Sequence, residues 1–310
     1  MDRVRRRLIA AGVLGLPVFG ATRTLAQTKP IPKVPPGVDP GGIGVALVGP
    51  GIDYTDPAIV HRLARDGEGQ LAGFDENTND STPFEIDERR LGTKLAQAIV
   101  AAVPQVRIVA ARLNASGNQP SSSFVVPGTH VVFKVLSPLA RVAIFVPARV
   151  AGAISNPAKP WDMKIPVDDP DHPITFFRGH ADKISDQVPG MLPLFLISAG
   201  PTGVPPDELP KLALRPKPGS FLVIAAATST GQLRDVPMAL ADRADFGIVT
   251  PDDTGGASHE QLAVVRVVRL LMIMLDKQPR TTPQILSGGL AHVARKNSGS
   301  GGPRYGFIAG

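Results

Sequence analysis

The feature that most limits the folds open to this chain is a set of short runs that are apolar at nearly every position: residues 43–48 (IGVALV), 106–111 (VRIVAA), 194–198 (LFLIS) and 221–225 (FLVIA). A strand with one wet face alternates polar and apolar residues, whereas a strand covered on both faces does not, and covered strands are the rule in parallel sheets. Residues 142–146 and 246–249 read as further strands, and 70–74 as a short one. Between them Leu95, Ala96, Ile99 and Val103 recur at helical spacing over 92–103. Asp56-Pro57 supplies an N-cap and a first-turn proline for a helix over 58–65. Strand and helix in alternation with short links imply right-handed crossovers, hence an α/β fold with a mainly parallel central sheet and helices on both faces. The middle of the chain is less regular, with 131–136 read as helical and 155–175 as a loop rich in proline and aspartate; no internal repeat is present.

The stretch Thr254-Gly255-Gly256-Ala257-Ser258 precedes a long apolar run over 262–275. It reads as a tight glycine turn that opens a buried helix. Ser258 and Gln261 have the spacing of a capping box. Ser258 is therefore either an N-cap that satisfies a free helix N–H, or a nucleophile at a helix start, where the exposed N–H groups favour developing negative charge. A nucleophile needs a base from elsewhere in the chain. The histidines are His61, His130, His172, His180, His259 and His292, none in a metal-ligand pattern. His259 follows Ser258 directly, and consecutive helical residues point about 100° apart. The helix carries Arg266 and Arg269 on one face, and these need carboxylate partners or a path to solvent.

Charge and composition narrow the function classes. The formal charge is +6, but Arg3, Arg5, Arg6, Arg7 and Arg23 lie in the first 26 residues against Asp2 alone, leaving 28 basic and 26 acidic residues beyond them. No basic cluster with interleaved aromatics remains, so nucleic acid is not an expected partner. Residues 1–26 read as an export signal, with a basic start, an apolar segment over 8–21 and Thr24-Leu25-Ala26 as a small-residue cleavage site. The apolar segment is too short for a comfortable span, so no stable membrane span is expected once the signal is removed. Arg6-Arg7-Leu8 partly matches a twin-arginine signal, and the general secretory route is open as well. The expected location is periplasmic or secreted. Residues 27–42, with five prolines from Pro30 to Pro40, read as an extended spacer, and the folded domain is expected over 43–310. The chain has no cysteine, which excludes disulfides, thiol catalysis, cysteine metal sites and a lipoprotein anchor. The acidic loop over 75–88 offers oxygens to a structural Ca²⁺, with solvation as the plainer reading.

The order of these pieces resembles the subtilisin-like serine peptidases over about 43–308. Val45-Ala46-Leu47-Val48-Gly49-Pro50-Gly51-Ile52-Asp53 is similar to the family's V-A-V-I-D-[ST]-G-I-D, and Arg90-Leu91-Gly92-Thr93-Lys94-Leu95-Ala96 stands where the family has its G-H-G-T-H-V-A region. Residues 107–113 resemble R-I-V-A-V-R-V, Ser198-Ala199-Gly200-Pro201 resembles A-A-G-N, residues 244–251 resemble V-D-V-V-A-P, and Gly256-Ala257-Ser258 resembles G-T-S. The resemblance implies a three-layer subtilisin-like fold with Ser258 in the nucleophile position. It also implies that Gly49 occupies the aspartate position, Leu91 the histidine position and Pro201 that of the oxyanion-hole asparagine. The expectation is an exported, catalytically impaired pseudoprotease that binds a peptide or protein partner in the old substrate groove, near 146–152, where Pro147 removes one backbone donor. Two alternatives remain open: an active serine hydrolase using Ser258 with an unconventional base, and a structural accessory subunit.

Overall fold

Side by side, the apolar runs form one parallel sheet. In the computed structural model the described residues are 30–76, 78–86, 88–112, 139–146, 192–199, 219–254, 257–294 and 302–309. The expected leader, the 131–136 helix, the 155–175 loop, Gly255, Gly256 and Pro201 lie outside them. The strands are β1 (Ile43–Gly49), β2 (Phe74–Asp75), β3 (Val106–Arg112), β4 (Val142–Phe145), β5 (Leu194–Ala199), β6 (Phe221–Ala227), β7 (Phe246–Val249) and β8 (Phe307–Ile308). Their order is β2-β3-β1-β4-β5-β6-β7-β8, and every pairing is parallel. The α/β class with a parallel central sheet is thus the observed one.

Among the described residues three α-helices pack on one face: α1 (Leu91–Ala102), α2 (His259–Lys277) and α3 (Pro283–Val293). Leu95 and Ile99 of α1 and Val264, Val268 and Leu271 of α2 bury against Val45, Leu47, Ile144, Leu196 and Ile224 of the sheet. The other face carries Val48, Val109, Phe195, Phe221 and Val223, with the rings of Phe145, Phe195 and Phe221 at centroid separations of 5.8 to 6.2 Å. Every β1 residue from Gly44 to Val48 is buried, which is why the run shows no alternation.

Two local expectations give way to tertiary pairing. Residues 58–65 form no α-helix; a single 3-10 turn, Val60–Arg62, is all that develops. Leu63 is extended and Ala64 N–H donates to Ile108 O at 2.8 Å, so β3 captures the backbone that would have continued the helix. The strand expected over 70–74 contributes only Phe74–Asp75 to the sheet, because Leu71 and Ala72 pair back onto Arg65 and Ala64. Residues 31–42 contain no helix or strand, yet they are fastened to the domain. Asp39 accepts hydrogen bonds from Gly41 N, Arg65 N and Arg107 Nη1, and Tyr54 Oη donates to Pro32 O at 2.7 Å. Among the described residues no helix is long and apolar enough to cross a membrane.

Candidate functional site

Three of the four positions singled out by the sequence sit at the carboxyl ends of the strands, where α/β sheets place their ligands. Gly49 ends β1, Leu91 opens α1 and Ser258 precedes α2, while Pro201 lies outside the described residues. Leu91 and Leu95 of α1 face Gln261 and Val264 of α2 across a cavity of about 20 Å³, floored by Phe145 and Ser198 at the ends of β4 and β5. That is room for one water.

Ser258 is in extended conformation, and its Oγ accepts from Gln261 N–H at 3.1 Å while Gln261 Oε1 accepts from Ser258 N–H at 3.2 Å. The capping box read from the sequence is therefore complete. Among the described residues no imidazole or carboxylate bonds to Ser258. The neighbouring His259 turns away, its Nδ1 lying 3.1 Å from Thr250 Oγ1. Arg266 donates to Val249 O and Arg269 is exposed, so the helix meets solvent on that side, and among the described residues neither cation pairs with a carboxylate.

Gly49 has no room for a side chain. A Cβ there would lie 2.0 Å from Val146 O, so a carboxylate at this position requires β1 and β4 to part at their ends. Gly92 is equally confined, with a Cβ falling 2.1 Å from Gly51 O, which brings the start of α1 against the turn that follows β1.

Beside Leu91 the sequence reading missed a polar network. Glu85 is buried, and its carboxylate accepts from Gly92 N at 2.9 Å, Thr93 N at 2.8 Å and Thr93 Oγ1 at 2.5 Å. It fills the N-terminus of α1 with the negative charge that a helix start favours. Arg90, at the N-cap with φ +52°, holds Asp53 at 3.0 Å and Asp56 at 2.8 Å. Burial pushes the Asp56 carboxyl up, but hydrogen bonds from Ala58 N, Arg90 and Gln97 outweigh it and hold the group below the usual carboxylate range. Asp53 and Asp56 also accept from Thr55 N and Ala58 N, each closing the turn that follows it. Glu85 escaped notice because it caps from six residues before the first helical position, outside any capping-box spacing.

In the acidic loop, Asp75 is fully buried and pairs with Arg112 at 3.0 Å, and Asp80 Oδ1 accepts from Thr82 N and Oγ1. Among the described residues no three histidine, aspartate or glutamate side chains gather in a metal-binding cluster; Asp87 is outside them.

No family model and no curated protein sequence matches the chain. Solved structures do. A cold adapted subtilisin-like serine proteinase is similar over 89% of this chain and 91% of its own, at 16% identity and a TM-score of 0.50. A lanthipeptide protease covers 88% of each chain at 14% identity, again with a TM-score of 0.50. The A-subunit of the AB5 toxin from E. coli covers 86% of this chain and 91% of its own at 12% identity and the same score. At these identities the likeness is one of architecture, and the eight-stranded parallel sheet with its packed helices is a subtilisin-like α/β fold.

Proposed function

We propose that this chain is an exported subtilisin-like pseudoprotease, acting in the periplasm or outside the cell, that binds a peptide or protein partner rather than cleaving it. The observation that carries the reading is the junction of α1 and α2. Leu91, which the resemblance sets at the histidine position, lines it with Leu95, and Ser258 Oγ is engaged in capping α2. A serine hydroxyl needs a base to take its proton and donors aimed at the developing oxyanion. In subtilisin, losing the histidine alone costs about 2 × 10⁶ in turnover. Gly49, pressed against Val146 O, and Pro201, which has no N–H, remove two further parts of the machinery. Binding an extended peptide by backbone pairing needs none of them.

A fluorophosphonate probe tests this on the full chain. No labelling is expected, in wild type or in Ser258→Ala. Labelling of the wild type that vanishes in Ser258→Ala overturns the proposal in favour of an active serine hydrolase with an unconventional base.

A further inference from the structure

The exposed residues of α2 are Arg269, Ile273, Asp276 and Lys277, so one aliphatic side chain stands among charges. Ile273 is 48% exposed, with Arg269 four residues before it and Asp276 three after. At about 100° per residue, Arg269 and Asp276 lie about 40° and 60° round the helix to the same side of Ile273, and Lys277 lies about 40° to the other. Arg269 and Asp276 are two turns apart, too far to pair with each other. Among the described residues neither has an ionic partner. The apolar surface continues onto α3. Met274, next to Ile273, meets α3 at Gly289, where a Cβ would fall 2.2 Å from Met274 Cε. Ile285 and Val293, 57% and 53% exposed, stand four residues to either side of Gly289, on the same line of the helix. No lysine, arginine, aspartate or glutamate occurs in α3. Ile273, Ile285 and Val293 therefore gather where α2 meets α3, as one patch rather than as scattered exposed side chains.

The charges beside Ile273 indicate what covers it. When a second α2 lies antiparallel across the first, with a two-fold axis beside Ile273, the order of residues reverses. Arg269 of each copy then stands opposite Asp276 of the other, on the same side of the contact, and Ile273 meets Ile273 between the two pairs. A cation and an anion at nearly equal distances before and after an aliphatic residue are what a self-complementary surface requires. We propose that this face of α2 and α3 is the interface of a homodimer related by a two-fold axis, with Arg269 and Asp276 pairing at its rim and Ile273, Ile285 and Val293 covered. About 22 Å of helix separates Ile273 from Ser258. The interface therefore does not depend on the role of Ser258, and it leaves the carboxyl ends of the strands open to a partner.

Sedimentation velocity on the full chain over the micromolar range tests it. A monomer–dimer equilibrium is expected for the wild type. Arg269→Asp and Asp276→Arg, each setting like charges opposite one another twice, are expected to weaken the dimer about tenfold or more. Combined in one chain they exchange the partners of both pairs, and the affinity is expected to return close to that of the wild type. Residues 1–26 are present in every variant, so their own tendency to associate cancels in the comparison. A wild type that stays monomeric, which gives the face to a different protein, overturns the proposal. So does a dimer that neither single variant weakens, or a double variant that does not recover while its urea midpoint is unchanged. Should the charge variants not fold, a thiol decides, because the chain has no cysteine of its own. Under mild oxidation Ile273→Cys is expected to form a disulfide-linked dimer faster than Ile86→Cys, an exposed position beside the start of α1, since the axis brings the two copies of residue 273 together. Equal rates for the two overturn the proposal.

Discussion

At Ser258 one oxygen faces two demands that compete. A lone pair that accepts from Gln261 N–H stabilises the first turn of α2, while a nucleophile must keep its lone pair free and give up its proton. If capping is the retained role, Ser258→Ala lowers stability by about 1 kcal/mol, and Ser258→Asp, an equally good cap, leaves it nearly unchanged. Urea midpoints separate the two variants, and an alanine variant as stable as wild type refutes the capping role. Gly49 makes the matching point from the other side of the site. With Val146 O 2.0 Å from where its Cβ would be, Gly49→Asp is expected to lose about 1–3 kcal/mol through overpacking rather than regain chemistry. Thermal unfolding of that variant is the check.

Among the elements, the segment over 31–42 and the turn after β1 are both secured by carboxylates rather than by secondary structure. Burial raises the Asp39 carboxyl, but hydrogen bonds from Gly41 N and Arg65 N and the charge of Arg107 outweigh it and leave the group below its usual range. Asp56 is lowered in the same way. A folded-state value below the unfolded one gives stability that is full above the unfolded value of about 3.9 and is lost as pH falls through the folded value. Asp39→Asn and Asp56→Asn are each expected to unfold at lower urea than wild type at neutral pH, by about 1.5–3 kcal/mol for a charge-assisted bond. That gap should narrow steadily below about pH 4. A gap that is constant with pH excludes these carboxylates as the acid-sensitive fastening.

For the molecule as a whole, the legible part was the part set by periodicity. The strands over 106–111, 194–198, 221–225 and 246–249 fell within a residue or two of β3, β5, β6 and β7, because burial on both faces writes itself into composition. The capping box of Ser258 and Gln261 fixed the start of α2 just as well, since its bonds run between near neighbours. What sequence could not reveal was set by distant partners. Ile108 drew Leu63 and Ala64 out of a helix, Glu85 reached forward to α1, and Arg90 bound Asp53 and Asp56 across the site entrance. The order of the sheet has a consequence for how the chain is made. β1, the first of the described strands to be synthesised, is flanked by β3 and β4, which emerge from the ribosome much later. A wholly apolar strand must therefore wait, unpaired on both sides, while the intervening chain is translated. During that interval it is the kind of segment that a holding chaperone would grasp.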